Sequence, residues 1–180
     1  MHAQADGCGG RKRPQGKLHA LADDGEEVDE DTAPQKAVHL LLAGGVAAHQ
    51  ALARGWRISV AVRSAARLSP DVAAQARVGI FDLTTASEDE LARFVRGHDA
   101  LVCCAGLVTE GEKFVSLIGR VISAIESIDS AARPPSWFMA GAALLDLDEN
   151  GRRGVDLPKV RDTYWPHRAN FERLQASNLD

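Results

Sequence analysis

Apolar residues are spread unevenly along the chain, and the pattern changes near Val38. Residues 1–36 show almost no apolar periodicity. They hold Gly9-Gly10, the basic triplet Arg11-Lys12-Arg13 and an acidic run from Asp23 to Asp31. Such a segment cannot bury enough surface to offset its ordering entropy, so a disordered tail is expected over 1–36. From Val38 onward, short apolar runs alternate with amphipathic stretches. The run over 38–43 ends in Gly44-Gly45 and reads as a strand buried on both faces, closed by a tight turn. Further strands are predicted over 57–62, 77–81, 100–104 and 137–140. An Ala-rich stretch over 47–54, stopped by Gly55, is the first helix. Ser87 with Glu90 makes a capping box for a helix ending near Arg96, and Thr109 with Glu112 offers another. Beyond it Phe114, Leu117, Ile118, Val121, Ile122, Ile125 and Ile128 recur at helical spacing. Pro166 suits the first position of a last helix, to which Phe171 and Leu174 give an apolar side.

Strands alternating with helices predict an α/β architecture: a doubly wound, mostly parallel sheet of about five strands. In such sheets ligands bind outside the carboxyl ends of the strands, near the switch in strand order. Those ends are Gly44, Arg63, Asp82, Ala105-Gly106 and Gly141, so a site is expected there.

Composition narrows the function classes. The chain has 180 residues, 45% of them apolar, and a net charge of −4. That balance points away from nucleic acid and acidic membranes as partners. No apolar run reaches the roughly 20 residues of a membrane helix, and the N-terminus has no signal-peptide apolar region. Cys8, Cys103 and Cys104 are an odd set without framework spacing, which fits a reducing compartment. A cytoplasmic protein is expected. The histidines show no metal-ligand spacing, so no metal site is expected. Cys103 and Cys104 point to opposite faces of a strand and read as core thiols, not as a redox pair.

Several short segments recur here in a telling order. They are the strand and turn over 38–45, Ala51-Leu52-Ala53-Arg54-Gly55, Val60-Ala61-Val62-Arg63, Phe81-Asp82-Leu83, Asp99-Ala100-Leu101-Val102 and Cys104-Ala105-Gly106. Together they resemble the atypical short-chain dehydrogenase/reductase family, specifically its NAD(P)H-binding, NmrA-like branch. The resemblance covers about Val38 to Asp180 and implies a Rossmann-like, NAD(P)-binding domain over 37–180. Family members carry a Gly-x-x-Gly-x-x-Gly turn whose backbone approaches the pyrophosphate at a helix N-terminus. Here only Gly44-Gly45 stand before Val46-Ala47-Ala48. Against the family pattern about six residues are missing, leaving a first helix of about two turns, short for a crossover. Ser177-Asn178-Leu179-Asp180 reads like the approach to a sixth strand. The domain is therefore expected to be C-terminally incomplete, as a truncated or spliced product or a fragment; the competing reading is a short natural variant.

The resemblance also implies site residues. Gly44 and Gly45 would contact the pyrophosphate, unless they merely turn the chain. Arg63, where the family reads the ribose, would pair with the extra phosphate of NADP, with Ser64 and Arg67 assisting. NADP is thus the expected cofactor, NAD being possible. Asp82 and Leu83 would meet the adenine end, with local turn chemistry as the equal alternative for Asp82. Ala105 and Gly106 would let the backbone approach a ribose. Catalysis in the wider family uses a serine after the fifth strand and a Tyr-x-x-x-Lys pair. Here that corner is Ala140-Gly141-Ala142, without a hydroxyl, and Tyr164 is followed four residues on by Arg168. An arginine stays charged and cannot relay a proton. The alternative is that Tyr164 and Trp165 pack a loop onto the sheet. Three functions follow: an NADP-dependent oxidoreductase on a small organic molecule, a non-catalytic dinucleotide-binding sensor, or an inactive truncated isoform.

Overall fold

A computed structural model describes residues 37–41 and 45–179; for 37–41 it describes the backbone. The tail expected over 1–36 and Gly44 lie outside the described residues. Five parallel strands form one sheet in the order β3-β2-β1-β4-β5. They are β1 (Ala37–Leu41), β2 (Arg57–Val62), β3 (Arg77–Ile80), β4 (Ala100–Cys103) and β5 (Ser136–Phe138). β1 is central, with Leu40 aligned to Val60 of β2 on one side and to Val102 of β4 on the other. The strand order reverses between β1 and β4, which is where a doubly wound sheet opens a crevice at its carboxyl edge.

Alternation along the strands separates two cores. Ile58 and Val60 of β2 pack with Ala48 and Ala51 of α1 (Gly45–Ala53) and Val72 of α2 (Pro70–Gln75). Ala61, Leu101 and Cys103, one step out of phase, face the larger core, which includes α3 (Glu88–Val95) and α4 (Glu112–Glu126). Period-two alternation gives each face of the sheet its own apolar set. The helical stripe expected on α4 is present: Phe114, Leu117, Ile118, Val121, Ile122 and Ile125 are all buried. Each such side chain contributes about 1.5–3 kcal/mol by leaving water. Ser59, the polar residue of the buried β2 row, is satisfied by His98, whose Nε2 lies 2.8 Å from its Oγ.

The first capping box is present as read. Ser87 Oγ accepts from the Glu90 N–H at 3.2 Å, and Glu90 Oε2 accepts from the Ser87 N–H at 3.0 Å. Ser87→Ala should lower stability by about 1 kcal/mol, measured by urea unfolding; an unchanged midpoint would clear the box of a role.

Two readings need correction, and one helix is added. Thr109 does not cap α4. It lies in a single 3-10 turn (Val108–Glu110), and Gly111 at φ 56 re-aims the chain into the helix. That left-handed step is open to glycine and needs no side-chain cap. Pro166 does not begin the last helix. α5 (Pro158–Gln175) starts earlier, with Pro158 at its first position and Pro166 buried inside it. Burial of the inner face outweighs the one backbone hydrogen bond that Pro166 removes. α2 is an element the apolar pattern did not show; Ser69-Pro70-Asp71 is its start signal.

Candidate functional site

The sheet's carboxyl edge holds a cleft of about 320 Å³. Five expected residues meet there: Arg63 and Arg67 after β2, Asp82 and Leu83 after β3, and Gly106 after β4. Thr84, Cys104, Leu107, Glu110 and Leu117 complete most of the wall. The parallel sheet explains the convergence, since all its strands end on the same edge.

Each side chain in the cleft has an identifiable environment. Arg63 is exposed, and neither it nor Arg67 makes a direct ion pair among the described residues. Asp82 Oδ1 accepts two hydrogen bonds from Thr84, from its N–H at 2.9 Å and its hydroxyl at 2.6 Å. These bonds hold the Asp82 carboxyl below its ordinary range, with the Arg63 charge adding to the effect. Both sequence readings of Asp82 thus have a counterpart, because it makes a local turn and also lines the cleft. Leu83 is 1% exposed and anchors the turn in the core. Ala105 is buried beside it in the same core.

Gly106 carries the tightest backbone constraint of the site. Its φ is 109, and a Cβ there would run into the Phe114 ring. Phe114 in turn meets His167 of α5 edge-on, ring centroids 5.5 Å apart. Burial holds the His167 imidazole below its ordinary value, toward the neutral form.

The remaining expected residues stand apart from the cleft. Gly45 opens α1, four residues beyond the end of β1, and no atom lies within 4 Å of where its Cβ would stand. Tyr164 lies on α5, half-exposed and stacked over His167 at 16°. It is not a loop residue, because α5 begins ahead of it. Arg168 donates from Nη1 to Asp156 at 2.8 Å and from Nε to Glu172 at 3.1 Å. The two adjacent cysteines divide as their alternation requires. Cys103 is a buried core thiol pushed up to about 12, whereas Cys104 is half-buried and borders the cleft. The reading of Cys104 as a core thiol is corrected accordingly, since it follows the last residue of β4 at the carboxyl edge, where the cleft lies.

Sequence reasoning passed over Thr84, Leu107 and Glu110. Each stands within a few residues of a strand's carboxyl end, so the edge rule itself would have found them. No group of histidine, cysteine or acidic side chains among the described residues is arranged to hold a metal. No helix among them is long and apolar enough to cross a membrane.

Comparison with known proteins fits this geometry. No curated protein matches the chain. Among solved structures, a protein from Lactobacillus casei matches with a TM-score of 0.61 at 15% identity, over 77% of this chain and 66% of its own. A nucleoside-diphosphate-sugar epimerase from Staphylococcus aureus gives 0.58 at 15% identity, over 80% and 48%. ChuY, an anaerobillin reductase from Escherichia coli O157:H7, gives 0.57 at 19% identity, over 81% and 69%. The chain thus spans about half to two thirds of the length of these structures, and the likeness is one of fold. The model of the NAD(P)H-binding family matches residues 43–180, most of the chain. The chain belongs to the NAD(P)H-binding family of Rossmann-fold proteins, in keeping with its resemblance to atypical short-chain dehydrogenases/reductases.

Proposed function

We propose that the chain is an NADP(H)-preferring, NmrA-like oxidoreductase acting on a small organic substrate in the cytoplasm. The observation that carries the preference is the pair Arg63 and Arg67. Both face the cleft, both lack a direct ion pair among the described residues, and no acidic residue stands at the end of β2. Guanidinium groups bind phosphate by charge-assisted hydrogen bonds, so they suit the extra phosphate of NADP.

The residues present fit the dinucleotide's adenosine half. Asp82 and Leu83 border the cleft where an adenine would lie, and Gly106 presents backbone without a Cβ. Gly44 and Gly45 would meet the pyrophosphate. Open space around Gly45 and the start of a nine-residue helix favour an anion there. When bound, the nicotinamide supplies the hydride, and the protein orients it. Tyr164 is the proposed proton donor to a substrate carbonyl. Arg168, fixed by Asp156 and Glu172, would hold the charge of a phenolate from its place on the same helix.

A second reading, a non-catalytic dinucleotide sensor, is favoured by a specific observation. Arg168 already satisfies two carboxylates, and the corner Ala140-Gly141-Ala142 offers no hydroxyl to a carbonyl. Titration with NADPH and NADH separates the cofactor question from the catalytic one. NADPH should bind the more tightly, and Arg63→Ala should cost about 1–3 kcal/mol, the range for a lost charged hydrogen bond. Absence of NADPH binding at millimolar cofactor would sink both readings. Turnover abolished by Tyr164→Phe supports the oxidoreductase; NADPH binding without turnover supports the sensor.

A further inference from the structure

α4, α5, β5 and the segment after β5 line a second, partly open cavity of about 250 Å³. Phe114, Ile118, Phe138 and Leu174 make up much of its wall, and no charged side chain lines it. Asn170 lies in that wall and is only 5% exposed. Neither its Nδ2 nor its Oδ1 has a hydrogen-bond partner among the described residues. Buried polar atoms are nearly always satisfied, and an amide orphaned at both ends is costly. Here a donor and an acceptor stand side by side in a cavity whose other lining side chains are apolar except for His167.

We infer that this cavity is a ligand pocket for a small uncharged ring compound that presents a carboxamide or lactam edge to Asn170. Such an edge carries a carbonyl beside an N–H, the mirror of the Asn170 amide, so two antiparallel hydrogen bonds satisfy both orphans at once. The apolar wall takes the ring, and the lining offers an ionised group no fixed counter-charge, because burial holds His167 toward its neutral form. The volume lies below the usual range of drug-sized sites, which restricts the ligand to one or two rings. His167 borders the same cavity and stacks beneath Tyr164, which links the pocket to the proposed proton donor. As the substrate's class, the inference rests on the oxidoreductase reading; the binding itself does not.

The test uses benzamide as probe, with ethylbenzene and benzoate as comparators, followed by calorimetry and by the Asn170 side-chain amide signals in nitrogen-15 spectra of the full chain. Benzamide should bind at least about tenfold more tightly than either comparator, the gain of one net hydrogen bond or more, and should shift the Asn170 signals. Asn170→Leu should erase that preference, leave ethylbenzene binding in place and keep the thermal midpoint at or above the parent's. Ile118→Trp, which fills the cavity, should remove binding of all probes. Equal binding of benzamide and ethylbenzene, a preference that survives Asn170→Leu, or amide signals that report bound water alone would overturn the inference. Parallel titration with NADPH keeps the two claims apart. Benzamide binding through Asn170 without NADPH binding leaves the pocket and removes the oxidoreductase; the reverse result removes the pocket alone.

Discussion

Gly106→Ala should destabilise the domain by about 2–5 kcal/mol, combining backbone strain with overpacking. The φ of 109 is one that L side chains rarely adopt, and the new methyl would meet the Phe114 ring. Phe114 is 2% exposed, so its ring has little room to swing aside. The helix stripe around it is equally buried, and a packed interior transmits the strain instead of absorbing it. Urea unfolding measures the loss directly. The same variant should bind NADPH less well even where it remains folded, because Gly106 lies in the wall of the cleft. A change in stability below about 0.5 kcal/mol, the ordinary scatter of surface substitutions, would mean that Phe114 moves freely and that the constraint does not exist.

Much of the fold was legible because period and capping carry local information. β2 spans the residues its apolar run predicts, and α3 begins at the Ser87 box. The α4 stripe was legible because its residues recur on one face over four turns. α5 was legible only in its second half. The signal at Pro166 competed with Pro158, and only tertiary burial of the inner face decides between two prolines that are both compatible with a helix start.

The candidate site divides along the same line. Arg63, Asp82, Leu83 and Gly106 could be gathered from sequence because a parallel sheet delivers every strand end to one edge. What surrounds Arg168 could not, because Asp156 approaches from outside the helix, twelve residues away in sequence. The Tyr-x-x-x-Arg spacing puts Tyr164 and Arg168 on one face without saying which neighbours claim the guanidinium. Asn170 was legible as a polar residue of the last helix that could face the cleft, but not as one with a role. A polar residue on a helix reads as solvated, and only the packing of α5 against α4 turns it into a buried amide facing a cavity.

Phe114→Ala should cost about 3–5 kcal/mol, the range for deleting a buried aromatic side chain. The ring does three things at once: it covers Gly106, meets His167 edge-on, and lines the α4–α5 cavity. Its removal therefore does more than leave a void. The space it vacates adjoins the α4–α5 cavity, so the variant should gain affinity for apolar probes such as ethylbenzene while it loses stability. The pair with Gly106 gives the sharper measurement. In a Phe114→Ala background the methyl of Gly106→Ala no longer meets a ring, so only the backbone strain at φ 109 remains. The double variant should then be more stable than the sum of the single losses predicts by about 1–3 kcal/mol, the size of coupling between residues in contact. Strict additivity would place the two residues in independent environments and remove the packing of the Phe114 ring against Gly106.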